Sequence, residues 1–285
     1  MSTVKLRVTD FWRRYRKNRP ALLCLLLLLF VFFIALTAFF LAPYPPLKTM
    51  VGAPFTPPFK MAEHPLGTDD VGRDILSMVI YGSRVSLIVG FSTAAIVAGI
   101  GILLGSIAGY YGGLIDNLVT GIMNISLMIP RFPLALVFIS LFGNNLQNMI
   151  IVLGLTGWPR LASMLRSEFM SIREKTFVEA ARAVGESDLR IIFGEILPNA
   201  LYIVIVNLSI TTAGAILLEA SLSYLGLGDP SLVSWGMMLS NAQRFLRRGW
   251  WFSVFPGIAL FVTVLAFNLV GDGLNDALNP RLKEK

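Results

Sequence analysis

The chain has 285 residues, of which 55% are hydrophobic and only 14% are charged, and its formal net charge is +7. This composition excludes an ordinary soluble domain, because such domains contain about 25% charged residues. The positive charges lie in short polar gaps beside apolar runs, so they indicate membrane topology and argue against a nucleic-acid partner. A single cysteine and a single histidine exclude an internal disulfide and a two-histidine metal site.

The N-terminal region combines a basic segment with an uncharged apolar run. Lysine and arginine collect on the cytoplasmic side of membrane spans, so residues 1–20 are predicted to form a basic cytoplasmic N-terminus. Residues 21–42 have the length that a bilayer requires and form the predicted first transmembrane helix. No small-residue cleavage site follows them, so we expect this helix to remain as a membrane anchor.

Residues 43–83 are predicted to form an external loop. Seven prolines lie between residues 43 and 65, and this density opposes a helix and favours extended backbone. The loop also contains His64, which is followed by three aspartates within ten residues. One imidazole with scattered carboxylates is a weak metal signal, so we favour a turn-rich loop over a metal site.

Residues 84–285 hold five further apolar segments and form the predicted core. Gly101, Gly105 and Gly109 recur at intervals of four in the first of these segments. This spacing predicts a face on which another helix packs closely in lipid, and glycine tolerated by chance is the alternative. The Trp250-Trp251 pair before the last segment is interpreted as an interfacial aromatic anchor.

Two charged residues fall within the predicted spans. Arg131 lies between two prolines in the third span, and Glu219 lies near the outer end of the fifth. A charge inside the bilayer is costly unless it faces protein or water, and prolines free backbone carbonyls that a hydrated cavity tolerates. Both residues are therefore functional-site candidates, and a structural ion pair is the open alternative for Arg131.

A polar segment at about residues 166–198 separates the fourth and fifth predicted spans. Gly185 is expected to end an amphipathic helix in this segment, because glycine adopts the left-handed conformation without a Cβ penalty. Ser187 can cap a second short helix, and Pro198 can begin the next span. A solvated loop is the alternative interpretation. The predicted apolar face of the amphipathic helix contains Ile172, Thr176, Phe177, Ala180, Ala181 and Val184.

The order Glu179-Ala180-Ala181, three residues, Gly185 and then Leu197-Pro198 resembles the EAA loop of ABC importer permease subunits. One position departs from the pattern, since Glu195 stands where family members usually have isoleucine. The stretches from His64 to Asp74 and from Glu219 to Gly236 are similar to the C-type permease subunits of dipeptide and oligopeptide importers.

This resemblance implies an all-α polytopic membrane protein with six transmembrane helices and the type I ABC importer permease fold. Both termini would be cytoplasmic, in agreement with the excess of basic residues in the segments placed inside. In that family the EAA loop forms coupling helices that dock on an ATPase. Arg131 and Glu219 are predicted to lie on the translocation path, because a charge inside the bilayer is costly unless it faces protein or water. The implied ATPase-coupling residues are Phe177, Glu179, Ala180, Ala181, Gly185, Leu197 and Pro198.

The resemblance also implies that the chain lies in the inner or plasma membrane and has several partners. These are a homologous second permease subunit, two cytoplasmic ATP-binding subunits, an extracytoplasmic substrate-binding protein and membrane lipid. The chain lacks a P-loop, so it is predicted to be a non-catalytic subunit without cofactor or metal, with ATP hydrolysis on partner chains.

The implied substrate is a di- or oligopeptide, although relatives in this subgroup also import nickel chelates, glutathione or oligosaccharides. A channel or a secondary transporter is the competing class of protein. Neither of these classes requires a cytoplasmic helix–glycine–helix element, so the EAA loop favours the importer.

Overall fold

The structure is a computed structural model that describes residues 11–278. Over this range the chain is helical, apart from turns, loops and one isolated bridge between Thr68 and Asp74. The longer and shorter helices in chain order are α1 (Arg19–Leu36), α2 (Ala38–Leu41), α3 (Ile75–Tyr111), α4 (Gly113–Met128), α5 (Arg131–Phe142), α6 (Leu146–Arg173), α7 (Thr176–Ala183), α8 (Asp188–Arg190), the π-helical turn π1 (Ile191–Ile196), α9 (Leu197–Leu222), the π-helical turn π2 (Ser223–Leu227), α10 (Trp235–Ala242), a 3-10 turn (Gln243–Phe245) and α11 (Trp251–Leu278).

Four helical segments are long and apolar enough to cross a membrane: α1, α3, the continuous segment Asp188–Leu227 and α11. Helices α4 and α5 pass the same test as a pair. Helix α6 has 28 residues but a more polar sequence, which includes Arg160 and Arg166. By length and composition the described chain has four spans, or five if the bent pair crosses, so the count of six stays a prediction.

The break between α4 and α5 follows from the prolines in this stretch. The two helices meet at an angle of 82°. Ile129, which precedes Pro130, has φ −83° and ψ 121°, the extended conformation that a residue before proline prefers. Pro133 lies in the first turn of α5, where its missing N–H costs no helical hydrogen bond. The predicted interruption of the third span is thus confirmed as a sharp bend.

The glycine face of α3 packs against α6, and these two helices form the most extensive pair in the described chain. A methyl group added to Gly105 would lie 2.7 Å from the carbonyl oxygen of Ala162. One added to Gly109 would lie 2.5 Å from Cβ of Phe169. Only glycine permits this approach of the two backbones, so the predicted packing face is confirmed and its partner is a helix of the same chain.

The proline-rich segment between α2 and α3 has no helix, as its prolines predict. Nδ1 of the buried His64 lies 3.0 Å from Oδ1 of Asp74. Oδ2 of Asp74 accepts a hydrogen bond from the backbone N–H of Ser77 at 2.8 Å and so caps α3. Asp74 is thus both the N-cap of α3 and the partner of His64. The loop therefore ends at Asp74 and not at residue 83.

Trp251 packs against this proline-rich segment and is not exposed at the surface. Its side chain is 5% exposed, and its indole N–H donates a hydrogen bond to the carbonyl oxygen of Thr68 at 3.1 Å. The interpretation of the tryptophan pair as an interfacial anchor is therefore wrong for Trp251, although Trp250 is half exposed. The buried indole joins the start of α11 to the proline-rich segment.

Candidate functional site

The polar segment after α6 folds into the helix–glycine–helix element that the sequence predicts. Helix α7 ends at Ala183, and Gly185 follows with φ +83°. The N–H groups of Gly185 and Glu186 donate to the carbonyl oxygens of Arg182 and Ala181 at 3.0 and 3.1 Å. These two bonds form a complete Schellman motif, so the role of Gly185 as the helix terminator is confirmed.

The inward face of α7 differs from the predicted one. Val178 is the buried residue of this helix, whereas Phe177, Ala180 and Val184 are exposed. The prediction assumed one continuous helix from Ile172 to Val184. In the structure α6 ends at Arg173, and the turn at Glu174 and Lys175 changes which residues of α7 face the bundle. We call the exposed stripe formed by Phe177, Ala180 and Val184 the docking face.

A buried apolar cluster packs against the inward side of α7. Val178 has no exposed surface and packs into this cluster, which joins α3, α6, α7, π1 and α9. Because every member is buried, α7 is held against the helical bundle as part of a rigid body. The members of the cluster are Tyr110, Leu165, Phe169, Ile172, Val178, Ile191, Ile192, Ile196, Ala200 and Val204.

The second short helix, α8, is continuous with a membrane span. Pro198 was predicted to begin that span, but the helical segment starts ten residues earlier, at Asp188. A proline inside a helix removes one backbone donor, and here the π-helical turn π1 directly precedes it. The N–H of Leu197 donates to the carbonyl oxygen of Ile192, five residues back. Ser187 occupies the N-cap position of α8, but its hydroxyl makes no cap hydrogen bond.

Polar side chains at the inner ends of α3, α4 and α6 complete this region. Asp116 of α4 accepts two hydrogen bonds from the guanidinium of Arg166 in α6. Nη1 of Arg173 donates to the carbonyl oxygens of Gly109 and Tyr110 at 3.3 and 3.2 Å. Sequence reasoning missed these contacts. One signal was present, since Asp116 is the only acidic residue between residues 75 and 167.

Arg131 is the first residue of α5 and lies across α6. Its Nη2 donates to the carbonyl oxygen of Leu153 at 3.2 Å, and the missing side chain of Gly157 makes room for the guanidinium. Arg160 lies one turn further along α6 and close enough for the two positive charges to repel each other. Neither arginine forms an ion pair with a carboxylate between residues 11 and 278.

Glu219 lies in a closed environment near the end of α9. It is 1% exposed, and its Oε1 accepts a hydrogen bond from the hydroxyl of Ser223 at 2.7 Å. Helix α10 packs directly over it, because Gly236 brings the α10 backbone against Ala220. The structure therefore does not bring Glu219 together with Arg131, and its assignment to the translocation path stays a prediction.

The chain matches two family models. Residues 101–284 match the binding-protein-dependent transport system inner membrane component, and residues 7–58 match the N-terminal TM domain of oligopeptide transport permease C. The first match contains α4 to α11 and the whole polar segment with Gly185. The second match covers α1, α2 and the start of the proline-rich segment that follows them.

Curated relatives match along nearly the whole chain. The dipeptide transport system permease protein DppC of Haemophilus influenzae is 37% identical over 98% of this chain and 97% of its own length. DppC of Escherichia coli is 41% identical over 96% and 93%. The di/tripeptide transport system permease protein DppC of Pseudomonas aeruginosa is 38% identical over 96% and 92%.

A solved structure shares the fold. The MetNI methionine ABC transporter, in an inward-facing conformation, aligns with a TM-score of 0.58 and 22% sequence identity. The alignment covers 72% of this chain and 98% of the chain in that structure. This likeness shows that the helices are arranged as in that transporter.

Proposed function

The chain belongs to the family of binding-protein-dependent transport system inner membrane components, and on this premise we propose that it forms half of the membrane path of an ATP-driven peptide importer. It is a multi-pass membrane permease subunit of the ABC importer class. Peptide as the substrate is supported by the printed names of relatives that match more than nine-tenths of the chain. Nickel chelates, glutathione and oligosaccharides are the alternative cargoes.

The observation that carries the coupling role is the docking face of α7. It exposes apolar side chains in the polar segment between α6 and α9, where a solvated helix would present polar groups. Charged residues Glu179 and Arg182 border it. An ATPase subunit that buries this stripe would push on a helix whose other side is fixed to the bundle through Val178.

The second element of coupling is the continuity of α8 with α9. No loop separates them, so a displacement of α8 acts directly on the span that follows. Leu197 and Pro198 therefore do not contact the ATPase in this proposal. They lie where the π-helical turn passes into α9, and they transmit movement along one helical segment.

The complete importer in this proposal contains a second permease, two ATP-hydrolysing subunits in the cytoplasm and an external binding protein. Both termini of this chain face the cytoplasm, with the segment from Pro43 to Asp74 outside. This chain binds no nucleotide and no metal ion in the proposed cycle. Closure of the ATPase pair moves α7 and α8, and the paired permease helices open to accept substrate from the binding protein.

Arg131 and Arg160 give the path a preference for anionic groups. Two guanidinium groups without a carboxylate partner in the described chain leave most of their N–H donors free. The terminal carboxylate of a peptide satisfies such donors through charge-assisted hydrogen bonds. The bend at Pro130 adds free backbone carbonyls, which are acceptors for the terminal ammonium of a peptide.

One substitution and a matched control test the docking role. Val184→Asp places a charge in the proposed interface, so co-purification of the ATPase subunits with the assembled importer should fall by about tenfold, the effect of losing one well-packed interface residue. The control is Val71→Asp, the same change on the exposed external loop, which should leave the ATPase bound. Equal retention of the ATPase in both variants contradicts the assignment.

Transport assays test the substrate. Proteoliposomes with the complete importer should accumulate labelled dipeptide and tripeptide in an ATP-dependent manner. Accumulation of a nickel chelate, glutathione or an oligosaccharide in place of peptide would reject the peptide assignment and leave the coupling role of α7 intact.

A further inference from the structure

A groove opens on the outside of the bundle, between α1 and α3. It has a volume of about 320 Å³ and is predominantly apolar. Phe32 and Phe91 meet edge to face at its inner part, with their ring centres 6.0 Å apart. The groove is lined by Phe32, Ala35, Leu36, Arg84, Leu87, Ile88, Phe91 and Ser92.

Arg84 is the one charged residue in this lining. Its side chain is exposed, and it makes no hydrogen bond or ion pair with any residue from 11 to 278. Arg131, which also lies beside apolar helices, differs because it donates to a backbone carbonyl. The five N–H donors of Arg84 are therefore available to an anionic group from outside the described chain.

The position of Arg84 along α3 fixes its depth. Helix α3 has 37 residues and is therefore about 55 Å long, whereas the hydrocarbon core of a bilayer is about 30 Å thick. A centred helix extends about 12 Å beyond the core on each side. Arg84 is the tenth residue and lies about 14 Å from the start of the helix. In a centred helix its Cα thus lies close to the boundary between hydrocarbon and headgroups.

The apolar part of the groove lies on the membrane side of Arg84. Leu87 and Ile88 lie about one turn after Arg84, Phe91 lies about one turn further toward the middle of α3, and Phe32 faces Phe91 from α1. A cationic group at headgroup depth with an apolar channel beneath it matches one amphipathic molecule that carries an anion and an aliphatic chain.

We propose that this groove binds a single membrane glycerophospholipid, with its phosphate on Arg84 and one acyl chain between α1 and α3. Arginine binds phosphate oxygens in a bidentate fashion, which supplies the missing acceptor. The acyl chain fills the apolar space and contacts both α1 and α3. The site depends only on insertion of the chain in a membrane, so it does not rest on the proposed substrate or on ATPase docking.

Photo-labelling tests the site in the assembled importer. The complex is placed in nanodiscs of phosphatidylcholine that contain a phosphatidylglycerol with a diazirine in the middle of one acyl chain. Mass spectrometry should find adducts concentrated in residues 32–36 and 84–91. Arg84→Gln should reduce this labelling about fivefold, the effect of one basic side chain at a lipid surface.

The control is Arg247→Gln, which removes another exposed arginine outside the groove and should leave the labelling unchanged. Uniform labelling of all lipid-facing helices, or equal labelling in Arg84→Gln, overturns the proposal. A benzophenone amino acid at Ile88 provides the second measurement: lipid adducts support the proposal, and cross-links to the second permease show that a protein helix fills the groove.

Discussion

The hydroxyl of Tyr110 at the inner end of α3 donates a hydrogen bond to Oδ1 of Asp188 at 2.7 Å. The guanidinium of Arg182 lies 5.3 Å from the centre of the same ring. One buried side chain of a membrane span therefore contacts α8 directly and α7 through Arg182. We predict that this contact is a route by which α7 and α8 move together with α3.

Tyr110→Phe should weaken this route without disturbing the apolar cluster. The ring and its contact with Arg182 remain, but the hydrogen bond to Asp188 is lost, at a cost of about 0.5–1.5 kcal/mol. We expect fewer substrate molecules transported per ATP hydrolysed in proteoliposomes, with assembly intact. Tyr111→Phe is the matched control, because this neighbouring ring is exposed. Unchanged stoichiometry in Tyr110→Phe would separate the hydrogen bond from coupling.

Gly185→Val should uncouple transport from ATP hydrolysis while the protein still inserts in the membrane. A Cβ at this position meets no neighbouring atom, so the cost is purely the left-handed backbone, about 1–2 kcal/mol. Asparagine tolerates that conformation, so Gly185→Asn should retain most of the activity. The measurement is the ratio of transport rate to ATPase rate on the same preparation of each variant. Equal ratios in the Val and Asn variants would falsify the role of the Schellman turn.

Arg131→Met should reduce peptide transport while the importer still assembles. A peptide with a free terminal carboxylate should lose about tenfold in transport efficiency, as expected for a charge-assisted hydrogen bond. The same peptide with an amidated C-terminus should lose little, because it offers no carboxylate. If the variant fails to assemble with the second permease, Arg131 forms an ion pair between subunits and does not line the path.

Cysteine labelling should establish the orientation in a Cys24→Ser background. Lys60→Cys lies on an exposed part of the external loop and should react with a membrane-impermeant maleimide in intact cells. Ser187→Cys, in the exposed turn before α8, should react only after the membrane is opened. The opposite pattern would invert the proposed topology. Thr56 is unsuitable as a probe, because it is 5% exposed and hydrogen-bonded within the loop.

The sequence alone was sufficient for features that depend on local backbone chemistry. Gly185 ends α7 because glycine adopts the left-handed conformation at the lowest cost. The bend near Pro130 follows from the extended conformation that a residue before proline prefers. The repeat of Gly101, Gly105 and Gly109 predicted close packing because spacing along one helix is itself a local property. Each of these signals is contained in a few consecutive residues.

Tertiary structure decided which side chains face which neighbours. Val178, and not Phe177 or Ala180, is buried, because the turn after α6 resets the helical register. Asp116 pairs with Arg166 across fifty residues, and Trp251 reaches Thr68 across 183. Such pairs leave no periodic trace in the sequence, since they arise only when distant helices pack. The sequence determined where the helices break, and packing determined what each break brings together.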